Sequence, residues 1–119
     1  MKMYRYLNGT TFRYNEEELR KIVTEGIDHR KGQNPRARYQ QFCAIIASGS
    51  RIKGIPQINI PFLIIHGSAD PIVSVNHAYK LASLNKAVEL IIVEGMGHTM
   101  PKEAFAYFYP QLLDHLSIS

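Results

Sequence analysis

PFLIIHGSADPIVSVNHAYKLA (residues 61–82) and, shortly after it, VELIIVEGMGHTMP (residues 88–101) decide how this chain folds. Each contains a short unbroken apolar run. Phe62–Ile65 lies between Pro61 and Gly67, and Val88–Val93 ends just before Gly95. Runs this short, rich in β-branched residues and without alternation, read as strands covered on both faces, the habit of parallel sheets. Between them Val75, Ala78, Tyr79 and Ala82 recur at helical spacing behind Ser74, a residue type that caps helices. Strand, helix, strand is a βαβ unit, whose crossover is right-handed. The fold class is α/β.

Helices are expected on either side of this unit. Upstream, Asn15 reads as an N-cap followed by the acidic turn Glu16, Glu17 and Glu18, and Leu19, Ile22, Val23 and Ile27 continue at helical spacing to about Arg30. Lys31 to Pro35 is read as its close. Tyr39, Phe42, Cys43 and Ile46 predict a second helix, stopped at Ser48-Gly49-Ser50. Met1 to Phe12 shows no clean period, though Asn8-Gly9 signals a turn. Ile55 to Ile60 is an apolar-polar approach to the first strand. Downstream of Pro101, Phe105, Phe108, Leu112 and Leu116 predict a last helix, with Pro110 forcing a kink or break at Tyr109. The composition changes near Gly54, so residues 1–54 are expected to form a helical segment and residues 55–119 a βαβα core.

Functional groups in open α/β sheets collect just past the carboxyl ends of the strands. Asp70 stands there after the first strand, and His98 after the second. Adjacent parallel strands bring these two loops side by side. A carboxylate beside an imidazole fixes its tautomer and stabilises the imidazolium, as a general base for a Ser or Cys nucleophile requires. Gly95 and Gly97 would let the second loop turn His98 inward. Simpler roles exist for each residue. Asp70 can cap the turn at Pro71, and a histidine after a strand can be structural. His66 reads as structural, and a metal site of Asp70, His66 and His98 lacks a further ligand. His29, His77 and His115 fall on helical positions, and Cys43 reads as a small core residue.

The two loops in this order resemble the C-terminal part of an α/β-hydrolase. In that family an HGxxDxxV-like loop after the penultimate strand carries the acid of a Ser-His-Asp triad, and a GxGH loop after the last strand carries the histidine. The likeness is close over Ile60 to Pro101, and Pro101 to Leu116 fits the family's final helix. RARYQQFCAIIASGSRIKGI (residues 36–55) is similar to the segment that joins a helical cap to this strand in esterase-like and peptidase-like members. The resemblance implies two parallel strands with flanking helices, a helical cap remnant in residues 1–54, and hydrolysis of a carboxylic ester or related acyl bond. Asp70 would orient His98, and His98 would shuttle the proton of an attacking serine. No cofactor or metal is implied.

The departure is equally plain. No GxSxG occurs anywhere in the 119 residues, and the oxyanion-hole amides that accompany that elbow go with it. Ser48, Ser50 and Ser68 fall in loops without a strand-to-helix elbow. The chain is therefore expected to be a fragment carrying acid and histidine but no nucleophile, inactive alone. The alternative is a non-catalytic truncated or split subunit that binds a partner or ligand. Two strands alone leave an edge open at Phe62–Ile65. Association is therefore expected, either as a homo-oligomer with Phe62 and Ile64 near the contact or with a missing N-terminal half. A covering strand from Met1–Phe12 would remove that need.

Composition narrows the partners. Residues 1–55 carry 11 Lys and Arg against 5 Asp and Glu, and residues 56–119 carry 3 against 5, giving +6 and −2 within the net +4. The cations are interspersed with acids and form no dense block, so a solvated face is favoured over nucleic-acid binding. There is no apolar run long enough to span a membrane. The N-terminus lacks the apolar stretch of a signal peptide. One cysteine excludes an internal disulfide, and the expected setting is the cytoplasm.

Overall fold

The structure is a computed structural model that describes residues 2–13, 15–29 and 34–117. In chain order it contains α1 (Lys2–Leu7), α2 (Glu16–His29), α3 (Pro35–Ser48), a 3₁₀ segment at Ile52–Gln57, β1 (Phe62–Gly67), α4 (Val75–Leu84), β2 (Val88–Val93), a second 3₁₀ segment at Lys102–Tyr107, and α5 (Tyr109–Ser117). Two compact units result, Met1–Tyr14 with Gly54–Ser119 and, separately, Asn15–Lys53. The boundary near Gly54 is where the composition shifts. Residues 2–13, expected with the helical segment, group instead with the strands, and the backbone of Leu7, Asn8, Thr10 and Thr11 is bonded to the loop after β2.

In the larger unit β1 and β2 pair in parallel, in register from Phe62 opposite Val88 to Gly67 opposite Val93. The apolar runs lack alternation because most of their residues are at least half-buried on either side of the strand. The return path is α4, which packs on both strands. Ser74 begins it, its hydroxyl accepting from the Asn76 amide at 3.3 Å. Asn85 ends it and donates Nδ2 to the carbonyls of Ile55 and Ile58, each at 2.8 Å. That side chain ties the approach segment, folded as 3₁₀ helix, to the entrance of β2. Val93, Met96, Ala104 and Phe108 form the buried core, with Phe12, Ile65, Ile91 and Leu112 against it.

The chain after Pro101 is not one helix. Lys102–Tyr107 winds as 3₁₀ and the α-helix starts at Tyr109, so the break falls at Phe108, one residue before the expected position. Pro110 sits in the first turn of α5, where its missing N–H is harmless. The tighter winding stacks side chains three apart, bringing the Phe105 and Phe108 rings to 5.1 Å. Met1–Phe12 also differs from a covering strand. Its described part, Lys2–Phe12, is a short helix, a turn with Gly9 at φ 85°, and a single antiparallel bridge from Gly9 to Met96. The bridge meets the loop after β2 and leaves the free edge of β1 unpaired among the described residues.

In the smaller unit, Asn15 Oδ1 accepts from the amides of Glu17 and Glu18 at 3.0 and 3.2 Å, as an N-cap should. Asn34 does the same for Arg36 and Ala37. Asn34-Pro35 thus opens α3 rather than closing α2, since proline is pre-set for a first helical position. Residues 30–33, where α2 was expected to close, lie outside the described residues. Gly49, at φ 61°, ends α3. No residue of α2 or α3 is buried, and Cys43, expected in a core, is exposed. Among the described residues no helix is long and apolar enough to cross a membrane.

Candidate active site

The turn after β1 is built around one carboxylate. Pro71 has no N–H to offer, so Asp70 Oδ1 accepts the next two amides, Ile72 at 2.7 Å and Val73 at 2.9 Å. Capping and a second task are not in competition here, because Asp70 has another oxygen. Oδ2 lies 2.8 Å from His98 Nδ1. The carboxylate only accepts, so Nδ1 carries the hydrogen, and in the neutral ring Nε2 is then the nitrogen with the lone pair. The Asp70 side chain is 6 % exposed and that of His98 is 44 % exposed. The orienting carboxylate is therefore shielded from solvent while the ring it holds is open. Burial pushes the Asp70 carboxyl upward. The Val73 amide, the His98 imidazole and the Ile72 amide together outweigh that and hold it below its ordinary value of 3.8.

His66 closes the same turn from the strand. Its Nε2–H donates to the Val73 carbonyl at 2.9 Å, while Asp70 Oδ2 is 3.9 Å away, beyond hydrogen-bond reach. The structural reading of His66 matches this geometry. It clamps the loop whose amides hold Asp70.

The loop after β2 approaches so closely that glycine is required. A Cβ on Gly67 would strike the backbone of Met96 and Gly97, and one on Gly97 would strike that of Leu7, Asn8 and Gly9. Gly95 is at φ 70° and its amide donates to Ser68 Oγ at 2.8 Å. The Ser68 and Ala69 amides donate to the carbonyls of Val93 and Met96 at 3.1 and 3.0 Å, so the two loops stay paired beyond the sheet. Leu7–Thr11 packs against the same loop. The Leu7 carbonyl accepts from the His98 amide at 2.6 Å and the Thr99 amide at 3.1 Å, and the Asn8 carbonyl accepts from Gly97 at 3.1 Å. Asn8-Gly9 signals a turn in the sequence, but nothing there says what the turn grips.

Asp70 and His98 thus sit on adjacent loops at one end of the parallel pair. A carboxylate-held imidazole with a free Nε2 can take a proton and return it. The serines already weighed are engaged locally: Ser48 Oγ with Arg51 Nε at 3.1 Å, Ser50 Oγ with the Ile52 amide at 3.4 Å, and Ser68 Oγ with Gly95. A family model described as alpha/beta hydrolase fold matches residues 7–105, a span that contains both strands, Asp70 and His98. The chain belongs to the α/β-hydrolase family. No curated protein sequence matches it significantly. The α/β-hydrolase match begins at Leu7, so it takes in the segment that holds the histidine loop as well as the helices between.

Proposed function

We propose that this chain supplies the acid and the histidine of a Ser-His-Asp triad, acting on a carboxylic ester or related acyl bond, with the serine contributed by sequence outside these 119 residues. One observation carries the reading: Asp70, anchored through Oδ1 to two amides, holds His98 Nδ1 at 2.8 Å, and Nε2 has no hydrogen-bond partner among the described residues. In the proposed cycle the serine hydroxyl attacks the acyl carbon and its proton passes to Nε2. Asp70 stabilises the resulting imidazolium without accepting the proton itself. Collapse of the tetrahedral intermediate sends the proton from Nε2 to the leaving alcohol. Water then repeats the sequence on the acyl-serine and frees the acid.

A second reading rests on the missing GxSxG. In it the chain is a non-catalytic hydrolase-like subunit, acting by binding a partner or ligand. In either case the cap remnant, expected over residues 1–54, is proposed for helices α2 and α3. Association, as a homo-oligomer or with a nucleophile-bearing half, follows from the open edge of β1. The single cysteine fits a cytoplasmic setting.

Two measurements test the proposal. Hydrolysis of short-chain aryl esters by the chain alone is expected at background, with His98→Ala no different. Robust turnover that disappears in His98→Ala would overturn it by revealing a nucleophile within the chain, with Cys43 the first to test. The coding sequence immediately upstream is expected to encode GxSxG. Its absence there would favour the binding subunit.

A further inference from the structure

Asn8 is the one buried polar residue among those described, 5 % exposed. An amide buried without partners is strongly unfavourable, and Asn8 uses both of its groups. Oδ1 accepts from the Thr99 hydroxyl at 2.8 Å, and Nδ2 donates to the Phe12 carbonyl. Thr99 is the neighbour of His98, 91 positions away from Asn8 in sequence. Closing an Asn-Gly turn needs no such reach, since Asn-Gly turns form in the open. Around the same contact, the main chain of Leu7 and Asn8 accepts the amides of Gly97, His98 and Thr99, the three residues centred on the histidine.

We infer that Asn8 is a positioning residue for His98. Anchored by Nδ2 on the Phe12 carbonyl and bonded through Oδ1 to Thr99, it fixes the backbone on which the imidazole is mounted, so that Nδ1–H stays on Asp70 Oδ2. Asp70 sets the rotation of the ring, and Asn8 sets where the ring begins. Only an asparagine of this length satisfies both contacts. Aspartate has no hydrogen for Phe12, and an apolar residue offers Thr99 nothing. The inference rests on the proposed acid–histidine reading and adds the segment Leu7–Phe12 to the machinery.

The test is exchange of the His98 Nδ1–H with solvent, read by NMR on chain labelled with nitrogen-15 histidine. Asn8→Asp keeps the side-chain shape and loses the bond to Phe12; Thr99→Val keeps the shape and loses the hydroxyl that bonds Asn8 Oδ1 and lies 3.5 Å from the Leu7 carbonyl. Thr99→Ser keeps the hydroxyl. Exchange is expected to quicken by about tenfold or more in the first two variants and to remain as in the parent for Thr99→Ser, as local loosening of the loop demands. A role confined to stability would lower the melting temperature and leave the imidazole proton unchanged. That result in a folded Asn8→Asp or Thr99→Val overturns the inference. If Asn8→Asp does not fold, Thr99→Val decides. Asp70→Asn separates the two claims. If it leaves the His98 Nδ1–H untouched, the acid–histidine pair itself fails and the positioning role fails with it. If it abolishes the signal while the Asn8 and Thr99 variants do not change it, only the positioning role falls.

Discussion

Asp70 does two jobs with two oxygens, and a pH experiment can read their joint effect. In the folded chain its carboxyl is held below the ordinary 3.8, so between the folded and unfolded values the unfolded chain binds more protons. The stabilisation is therefore complete above the unfolded value and is lost as pH falls through the folded one. Asp70→Asn removes the charge-assisted contact to His98. It is expected to lower stability near neutral pH by about 1.5–3 kcal/mol, the size of a hydrogen bond to a charged group. The difference between parent and variant should shrink as pH drops below the ordinary carboxylate value. Thermal melts at neutral pH and at about pH 3 check this. A gap that stays constant or widens in acid would mean that the contacts from Val73, His98 and Ile72 do not hold the carboxyl below its ordinary value. At this scale the Asp70–His98 contact was legible because both residues stand in the loops that follow bounded apolar runs. Asn8 was not, because its partner Thr99 lies at the far end of the sequence and no local pattern encodes a contact of that range.

At the scale of elements, what was readable followed from local chemistry. Two apolar runs closed by glycine gave β1 and β2, and Asn15 with its acidic turn gave the start of α2. What escaped was set by tertiary context. The same Asn-Pro pair can end one helix or begin the next, and only the side-chain bonds of Asn34 decide. The break at Phe108 and the 3₁₀ winding before it depend on how Phe105 and Phe108 pack, which periodicity does not specify. The contact of the loops after β1 and β2 yields a direct prediction. Gly67→Ala forces a Cβ into the Met96 and Gly97 backbone, and backbone cannot swing aside as a side chain can. Overpacking of this kind costs about 1–3 kcal/mol or more, which lowers the melting temperature by several degrees in a domain of this size, roughly 4–8 °C per kcal/mol. Gly26→Ala, where an added Cβ meets nothing within 4 Å, is the control and should leave the melt unchanged or raise it slightly. Equal melts for Gly67→Ala and parent would contradict the close loop pairing.

For the molecule as a whole, the order strand, helix, strand was enough to place it in the α/β class, and residues 7–105 match the α/β-hydrolase family. The division of the chain was less legible. The boundary near Gly54 coincides with a change in composition, but the return of Leu7–Thr11 to the loop after β2 rests on main-chain hydrogen bonds that carry no side-chain signature. A two-stranded parallel sheet has its β1 edge open, and Ile22, Ile27, Tyr39, Phe42, Ile45 and Ile46 on the helices of the smaller unit are each more than half exposed. Unpaired edges and apolar surface of this kind drive association. Sedimentation equilibrium over a hundredfold concentration range is expected to show a dimer or larger species. A monomer of 13.6 kDa throughout would contradict it.

The central claim is that His98, held by Asp70, is the proton carrier of an acyl-transfer reaction whose serine lies outside this sequence. Its most direct test is to co-produce the chain with the GxSxG-bearing segment that the proposal expects upstream and to measure aryl ester hydrolysis by the purified pair. The parent pair is expected to turn over. Asp70→Asn should reduce kcat roughly ten-thousand-fold, the order seen when a triad acid is replaced by its amide, and His98→Ala should bring it near background. Hydrolysis by the pair that proceeds equally well with His98→Ala would contradict the claim.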